Sequence, residues 1–339
     1  MKTNKKSKQM FRLTVLYAIL AFFFCSTVLY FLNASMKTKP ALIDNKLIQV
    51  TKGISELIPN LSITNVSDTA ENVSFTTDDK YCTFLYKSKI YIKEIATNKL
   101  VRKISETGIS KSLLMSDRDI ILYFCVANNS IDVKTYNIES NKITKQKSIP
   151  IPRGSIIKSV DYSSSTNLVF INLEEKVGRS ITRNSIYYLN IMKNLKHIIP
   201  GQIINNMVLL NNSLNLYFED NNKNLFSHSK LVSSVKKVNI IGCDKYDNVY
   251  VQSVEDKSKI YILNNQKIIK TKKLIDPAYI GFYTNKKDVF AIYKDYLINI
   301  SGDVNIKFIN NSNLKFVGMG GSNVYFKDAN NNIVAMKRK

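Results

Sequence analysis

The 339-residue chain contains no tryptophan, two histidines, four cysteines, six prolines and eleven glycines. Each scarcity removes a class of chemistry. A histidine metal centre needs several ligands to converge. His197 and His228 instead stand apart, each within a strand-like run. None of the cysteines forms a C-x-x-C pair, so neither a zinc ribbon nor a dense disulfide framework is encoded. Cys82, Cys125 and Cys243 lie in or beside apolar runs and read as buried free thiols, with a Cys82–Cys125 bridge as the one pairing left open. No Gly-x-Ser-x-Gly nucleophile turn occurs, and Gly318-Met-Gly-Gly321 follows a strand but opens a hairpin rather than a phosphate-binding helix. The carboxylates of Asp78-Asp79 and Asp244–Asp247 fall in tight turns, where Asp bonds its own backbone, and lack the ligand alternation of a calcium loop. No cofactor is implied by any of these features.

Acidic residues are also few. Against 49 Lys and Arg stand 26 Asp and Glu, a net charge of +23. Such a charge attracts polyanions through long-range fields. No run of five or more basic residues concentrates it, so it reads as a solvated surface rather than a specific nucleic-acid site. The abundance of Lys, Asn and Ile fits an AT-rich bacterial genome, which makes anionic envelope polymers the available partners.

What the chain does have begins with Leu13–Leu32, an uncharged apolar run broken only by Thr14, Ser26 and Thr27. Its length as a helix is about 30 Å, the hydrocarbon thickness of a bilayer. Residues 1–12 carry Lys2, Lys5, Lys6, Lys8 and Arg12 and no acid, so this tail is expected to stay cytoplasmic. The run is longer than the apolar core of a cleaved signal peptide, whose site would have to be Asn33-Ala34-Ser35. Phe22-Phe23-Phe24 before Cys25 argues against a lipoprotein site. The reading is a transmembrane signal-anchor helix at 13–32, a tether at 33–41, and an extracytoplasmic body from 42 to 339 in the cell membrane.

That body repeats one pattern seven times: apolar run, small polar turn, apolar run. The turns are Thr76–Asp79, Ser116–Asp119, Ser163–Thr166, Asn211–Ser213, Asp244–Asp247, Thr284–Asp288 and Gly320–Ser322. Their mean spacing of about 41 residues is the period of a propeller blade. Apolar-polar alternation dominates, as in Ile90-Tyr91-Ile92 and Ile260-Tyr261-Ile262. Second strands follow each turn, and third strands carry the anchors Tyr91, Tyr136, Tyr188, Phe226, Tyr261, Leu297 and Val334. Lys-rich fourth strands are expected in six units, among them Leu100–Ile104, Ser234–Val238 and Val304–Ile309. The seventh unit runs out of chain, and Leu42–Thr51 is a spare strand pattern suited to fill its place.

Seven four-stranded units closed by an N-terminal strand resemble the WD-repeat and TolB-like β-propellers, over residues 41–339. The Trp-Asp signature of WD repeats is absent. The fold class is therefore all-β, a seven-bladed β-propeller closed by an N-terminal strand. The resemblance implies that blade-to-blade connections and second-to-third-strand loops share the usual ligand face. There the pattern breaks: Glu174–Asn184 is the longest such insertion, and Ile149–Gly154 is the connection beside it. Arg153, Lys176, Arg179 and Arg183 form the candidate basic patch, suited to carboxylate or phosphate.

With no catalytic constellation in the sequence, the expectation is a non-enzymatic binding or scaffold protein of the envelope. Its partner is expected to be another membrane or envelope protein or an anionic envelope polymer. The competing expectations are a hydrolase or lyase acting on such a polymer, and a sensor acting through a membrane partner. Topology is testable directly. A reporter enzyme that works only outside the cytoplasm, fused after Lys339, should be active in cells. Deleting residues 13–32 should move the protein to the soluble fraction; a membrane-bound deletion variant would overturn the anchor.

Overall fold

The computed structural model describes residues 57–337 apart from positions 65, 178–180, 191, 199–202, 229, 275, 277, 295, 303–305 and 308–313. The anchor, the tether and Leu42–Thr51 lie outside the described residues. Within them, every regular element is a strand, and the strands form seven antiparallel four-stranded sheets. Each sheet is one blade of a propeller. The inner strands, which lead each blade, are Glu71–Phe75, Ile109–Met115, Ile156–Ser163, Ile204–Leu209, Val238–Cys243, Gly281–Thr284 and Lys315–Met319. All seven polar turns read from the sequence join an inner strand to the second strand of its blade.

The hydrophobic core is divided into seven clusters, one for each interface between neighbouring blades. Tyr81, Ile104 and Tyr123 belong to the interface of blades one and two. Leu122, Phe124 and Ile171 belong to that of two and three, and Phe75, Cys82 and Tyr325 to that of seven and one. The second strand of blade two shows why the sequence reads as it does. In Ile120–Ala127, Ile121, Tyr123 and Cys125 face blade one while Leu122 and Phe124 face blade three. A strand covered on both faces needs a continuous apolar run, as in a parallel sheet. The outer strand covers nothing on its far side, so Lys267–Lys273 is exposed along most of its length.

In six of the seven blades the inner strand slips register against the second strand, for example between Ile109 and Lys111 and between Ile240 and Gly242. Such bulges raise local twist, which the crowded centre of a propeller requires. The sixth blade pairs Gly281–Thr284 with Val289–Ile292 without interruption.

Two expected strands move. An N-terminal strand does close the ring, but it is Leu57–Ile63 rather than Leu42–Thr51. It pairs antiparallel with Ile333–Lys337 as the outer strand of blade seven. Ile63 is buried there among Val66, Tyr325 and Ile333. Proline at 59 and the polar residues at 60 and 62 hide this strand in the sequence, while the alternation at 42–51 is the stronger signal. In blade four, the outer strand is Lys230–Leu231 rather than Ser234–Val238. Val238 instead opens the inner strand of blade five, where it is fully buried.

The turns on one face tie every blade to the next. Thr77 N–H and hydroxyl donate to the Ser116 carbonyl at 3.1 and 3.0 Å. The Arg118 guanidinium reaches the Asn167 side chain and the Ser164 carbonyl. Ser163 donates to the Asn211 carbonyl at 2.5 Å, and Asn211 N–H donates to Asp247 at 2.7 Å. Thr284 donates to the Cys243 carbonyl at 3.1 Å, and Met319 N–H to the Tyr283 hydroxyl at 3.3 Å. Asp79 completes the ring by accepting from Ser322 N–H at 2.6 Å, its hydroxyl at 2.7 Å, and Tyr325 OH at 2.8 Å. Gly320 and Gly321 are needed at this clasp, because a Cβ on either would collide with Asp79 or with the Thr77 carbonyl.

The clasp supports a stability prediction. Asp79→Ala removes three bonds to a carboxylate and strands the buried Tyr325 hydroxyl. It should cost about 2–4 kcal/mol in chemical denaturation. A loss below about 0.5 kcal/mol would show that the clasp is dispensable.

Candidate functional site

Because strands alternate in direction, the first-to-second and third-to-fourth turns lie on one face of the disc. The second-to-third hairpins and the blade-to-blade connections lie on the other. The main concavity is the central channel at its turn-face mouth, about 740 Å³ in volume and lined by residues of all seven inner strands and their turns. Its wall is apolar at Phe75, Leu113, Val160 and Met207 and polar around the rim.

An ion pair runs across this mouth. Lys286, in the turn of blade six, places Nζ 2.6 Å from Asp161 Oδ1 of blade three and donates to the Leu209 carbonyl of blade four at 3.0 Å. Asp161 also accepts from Leu209 N–H at 2.7 Å and from Tyr162 N–H at 2.8 Å. The ammonium lies 5.9 Å from the centre of the Tyr162 ring. Burial, with Asp117 and Asp161 nearby, pushes the Tyr162 phenol up to about 12. The Asn211 amide donates to the Asp244 and Lys286 carbonyls, both at 2.8 Å, so the turns of blades four, five and six are drawn together. Blades three to six are thus knitted across the mouth, whereas blades seven, one and two are joined only neighbour to neighbour in the bonds described above.

Sequence reasoning did not single out Asp161 or Lys286. The available signals were a lone carboxylate inside the apolar inner strand Ile156–Ser163 and a lysine in the Thr284–Asp288 turn. Nothing in the chain's order announces that these two meet.

The sequence-predicted basic patch lies on the opposite face. Residues 174–177 and 181–184 extend the hairpin as paired strand, with Glu174↔Asn184, Glu175↔Arg183, Lys176↔Thr182 and Val177↔Ile181. Arg183 Nε donates to the fully buried Glu175 at 2.8 Å, so its charge is already matched. Lys176 and Arg153 are exposed. Arg179 lies outside the described residues. Among the described residues no hydrogen bond or ion pair joins Arg153 to Lys176 or Arg183.

The remaining candidates take structural places. His197 stacks on Tyr187 with ring centres 4.4 Å apart, and His228 meets the Asn215 side chain at 2.6 Å. Cys82, Cys125 and Cys243 are free and buried. Burial pushes the thiols of Cys82 and Cys243 up to about 12 and that of Cys125 to about 11. Cys82 faces blade seven and Cys125 faces blade one, so no bridge forms between them. Asp244 accepts from Tyr246 N–H and Asn248 N–H at 2.8 and 3.1 Å, the turn chemistry expected of it. Among the described residues no group of three or more His, Cys, Asp or Glu is arranged to hold a metal ion. A second, smaller cavity of about 200 Å³ lies between blades three and four, walled by Phe170, Tyr188, Leu214 and Phe218.

No protein family and no curated protein matches the sequence. Solved structures match in fold. A chain of the structure described as the mitotic checkpoint complex aligns with a TM-score of 0.52 and 9% identity, over 88% of this chain and 99% of that one. An oligogalacturonate lyase in complex with manganese aligns with a TM-score of 0.59 and 9% identity, over 85% of this chain and 99% of that one. At such identities the likeness is one of fold: the chain is a β-propeller, similar to WD-repeat propellers and to the propeller of a lyase.

The bridge across the mouth can be weighed by a double-mutant cycle. Asp161→Asn and Lys286→Met should show a coupling of about 1–3 kcal/mol in unfolding free energy. Additive effects would mean that the two groups meet without holding the turns together.

Proposed function

We propose that this chain is a membrane-anchored binding or scaffold protein of a bacterial cell envelope. In this reading Leu13–Leu32 spans the membrane, residues 1–12 remain inside, and the propeller stands outside. The observation that carries the binding reading is the channel mouth, a concavity of about 740 Å³ to which all seven blades contribute. Concave sites with apolar walls and a few fixed polar groups are where ligands bind. The polar groups inside it are engaged with each other or with backbone: Asp161 with Lys286, Asn211 with two carbonyls, Thr284 with the Cys243 carbonyl. Groups so committed build and hold a surface. Residues 33–56 separate the apolar run from the first strand of the propeller and reach at most about 85 Å, which ties the propeller to the neighbourhood of the bilayer and favours a membrane or envelope partner.

The second reading is an enzyme acting on an envelope polymer, favoured by one observation: a carboxylate, Asp161, projects beside an ammonium and a phenol in the channel. Turnover of purified wall polymer by the wild type, lost in Asp161→Asn, would establish it.

The binding reading is tested by site-specific photocrosslinking in intact cells. A photoreactive residue at Ser165 or Asn285, on the mouth, should capture a discrete protein partner. The same residue at Ile269, on the exposed outer strand of blade five, should not. Capture from Ile269 alone, or from none of the three, would overturn the assignment of the mouth as the partner site.

A further inference from the structure

The direction of the closing strand fixes where the chain joins the propeller. Leu57–Ile63 runs antiparallel to Ile333–Lys337, with Leu57 opposite Met336 and Ile63 opposite Ile333. Ile333 follows the second-to-third hairpin of blade seven, so Ile63 lies at the hairpin face and Leu57 at the turn face. Residues 1–56, with the apolar run Leu13–Leu32, therefore lead into the turn face. A bilayer holding that run is reached from the side of the channel mouth.

On that face, blades three, four and five carry apolar side chains in and beside their turns, where polar residues are the rule. Met192 is 76% exposed, Tyr246 68%, Leu214 59% and Leu231 57%. At such exposure they add nothing to the core. The smaller cavity reaches the same sector, lined there by Leu214 and His228 from blade four and Lys196 from blade three.

Five lysines stand among these side chains. Lys193, Lys196, Lys230, Lys245 and Lys267 are exposed, and none forms an ion pair among the described residues. The carboxylates of the same turns are Asp244 and Asp247, which keep their charge because their donors are neutral. Asp161 is matched by Lys286. The sector is therefore basic, five cations against two anions. Blades one and two differ. Leu100, Val101 and Ile143 are exposed there, but Asp78, Asp79, Asp117, Asp119 and Glu139 offset Lys80, Lys99, Arg118 and Lys142.

We propose that the turn-face sector of blades three to five rests on an anionic lipid bilayer, with Met192, Leu214, Leu231 and Tyr246 in its interface and the five lysines on its headgroups. Apolar side chains flanked by lysine suit that environment. The apolar groups leave water for the acyl boundary while each ammonium stays at headgroup level, where anionic lipid attracts it. The inference deepens the reading above and rests on its anchor to bring the bilayer within reach. Weak contact suffices, because the linking chain sets a high effective concentration. The mouth then opens beside the bilayer, where a partner itself held in the membrane meets it.

The chain has no tryptophan, so a single introduced one reports alone. The full chain is reconstituted in vesicles of brominated phosphatidylcholine, with or without phosphatidylglycerol. Fluorescence of Leu231→Trp, and of the more conservative Tyr246→Trp, should be quenched in the anionic vesicles and less in neutral ones or at high salt. Ile280→Trp, at a site 71% exposed on the opposite face, should not be quenched. Adding Lys193→Gln, Lys230→Gln and Lys267→Gln should lower the quenching at both sites to the level of neutral vesicles. Thermal melting confirms that each variant is folded, and resistance to alkaline extraction from the same vesicles reads the anchor separately. A chain that resists extraction and shows no quenching at either site overturns the proposal and leaves the anchor standing. A chain that is extracted, yet quenched beforehand, overturns the anchor and leaves the lipid contact standing. Equal quenching of Ile280→Trp, or quenching indifferent to lipid charge and to the three lysines, would also overturn the proposal. Capture of a discrete protein by a photoreactive residue at Leu231 in cells would give this sector to a protein partner instead.

Discussion

The turns between first and second strands hydrogen-bond to one another around the entire ring, and the rest of the structure depends on that belt. Each blade of a propeller is a small twisted sheet with its apolar faces pressed against two neighbours, and no blade buries its faces alone. The belt fixes how far around the axis each blade stands from the next. It is built from whatever each turn offers: a threonine hydroxyl at 77, a guanidinium at 118, a serine hydroxyl at 163, an asparagine at 211, a threonine at 284. Its last link joins residues nearly the whole propeller apart in sequence, Asp79 and Ser322. The second closure, at the outer rim, is the strand Leu57–Ile63 laid against the final strand of the chain.

Seven clusters of apolar side chains occupy the interfaces that the belt spaces out. Second strands, covered on both sides, carry the largest fully buried groups, Tyr123, Phe124, Tyr217, Phe218, Tyr325 and Phe326 among them. Outer strands carry the lysines. The charge of the protein is therefore sorted by radius as a consequence of packing, which accounts for a strongly basic chain without any basic run.

The departures from seven-fold regularity fall at the mouth of the channel and in the hairpin of blade three. At the mouth, Lys286 crosses to Asp161 and draws four blades together, leaving the other three bound only in sequence. The long hairpin of blade three breaks the repeat on the other face, where Glu175 neutralises Arg183.

How much of this was legible varies with the range of the interaction. Turn positions, strand alternation and the count of seven are local, set by φ/ψ preferences of Asp, Asn, Ser and Gly and by the two-residue pleat, so the sequence by itself determined them. It also pointed to closure of the ring by an N-terminal strand, because a strand-like pattern stands ahead of the first of the seven units. Which strand closes it was decided by tertiary packing: Ile63 fits against Tyr325 and Ile333, whatever the better alternation at 42–51 suggests. The same holds for Val238, taken from the end of one blade to lead the next. The bridge of Asp161 to Lys286 is likewise decided only in three dimensions. Curvature around a ring brings together residues from blades far apart in sequence, and no local pattern encodes which ones will meet.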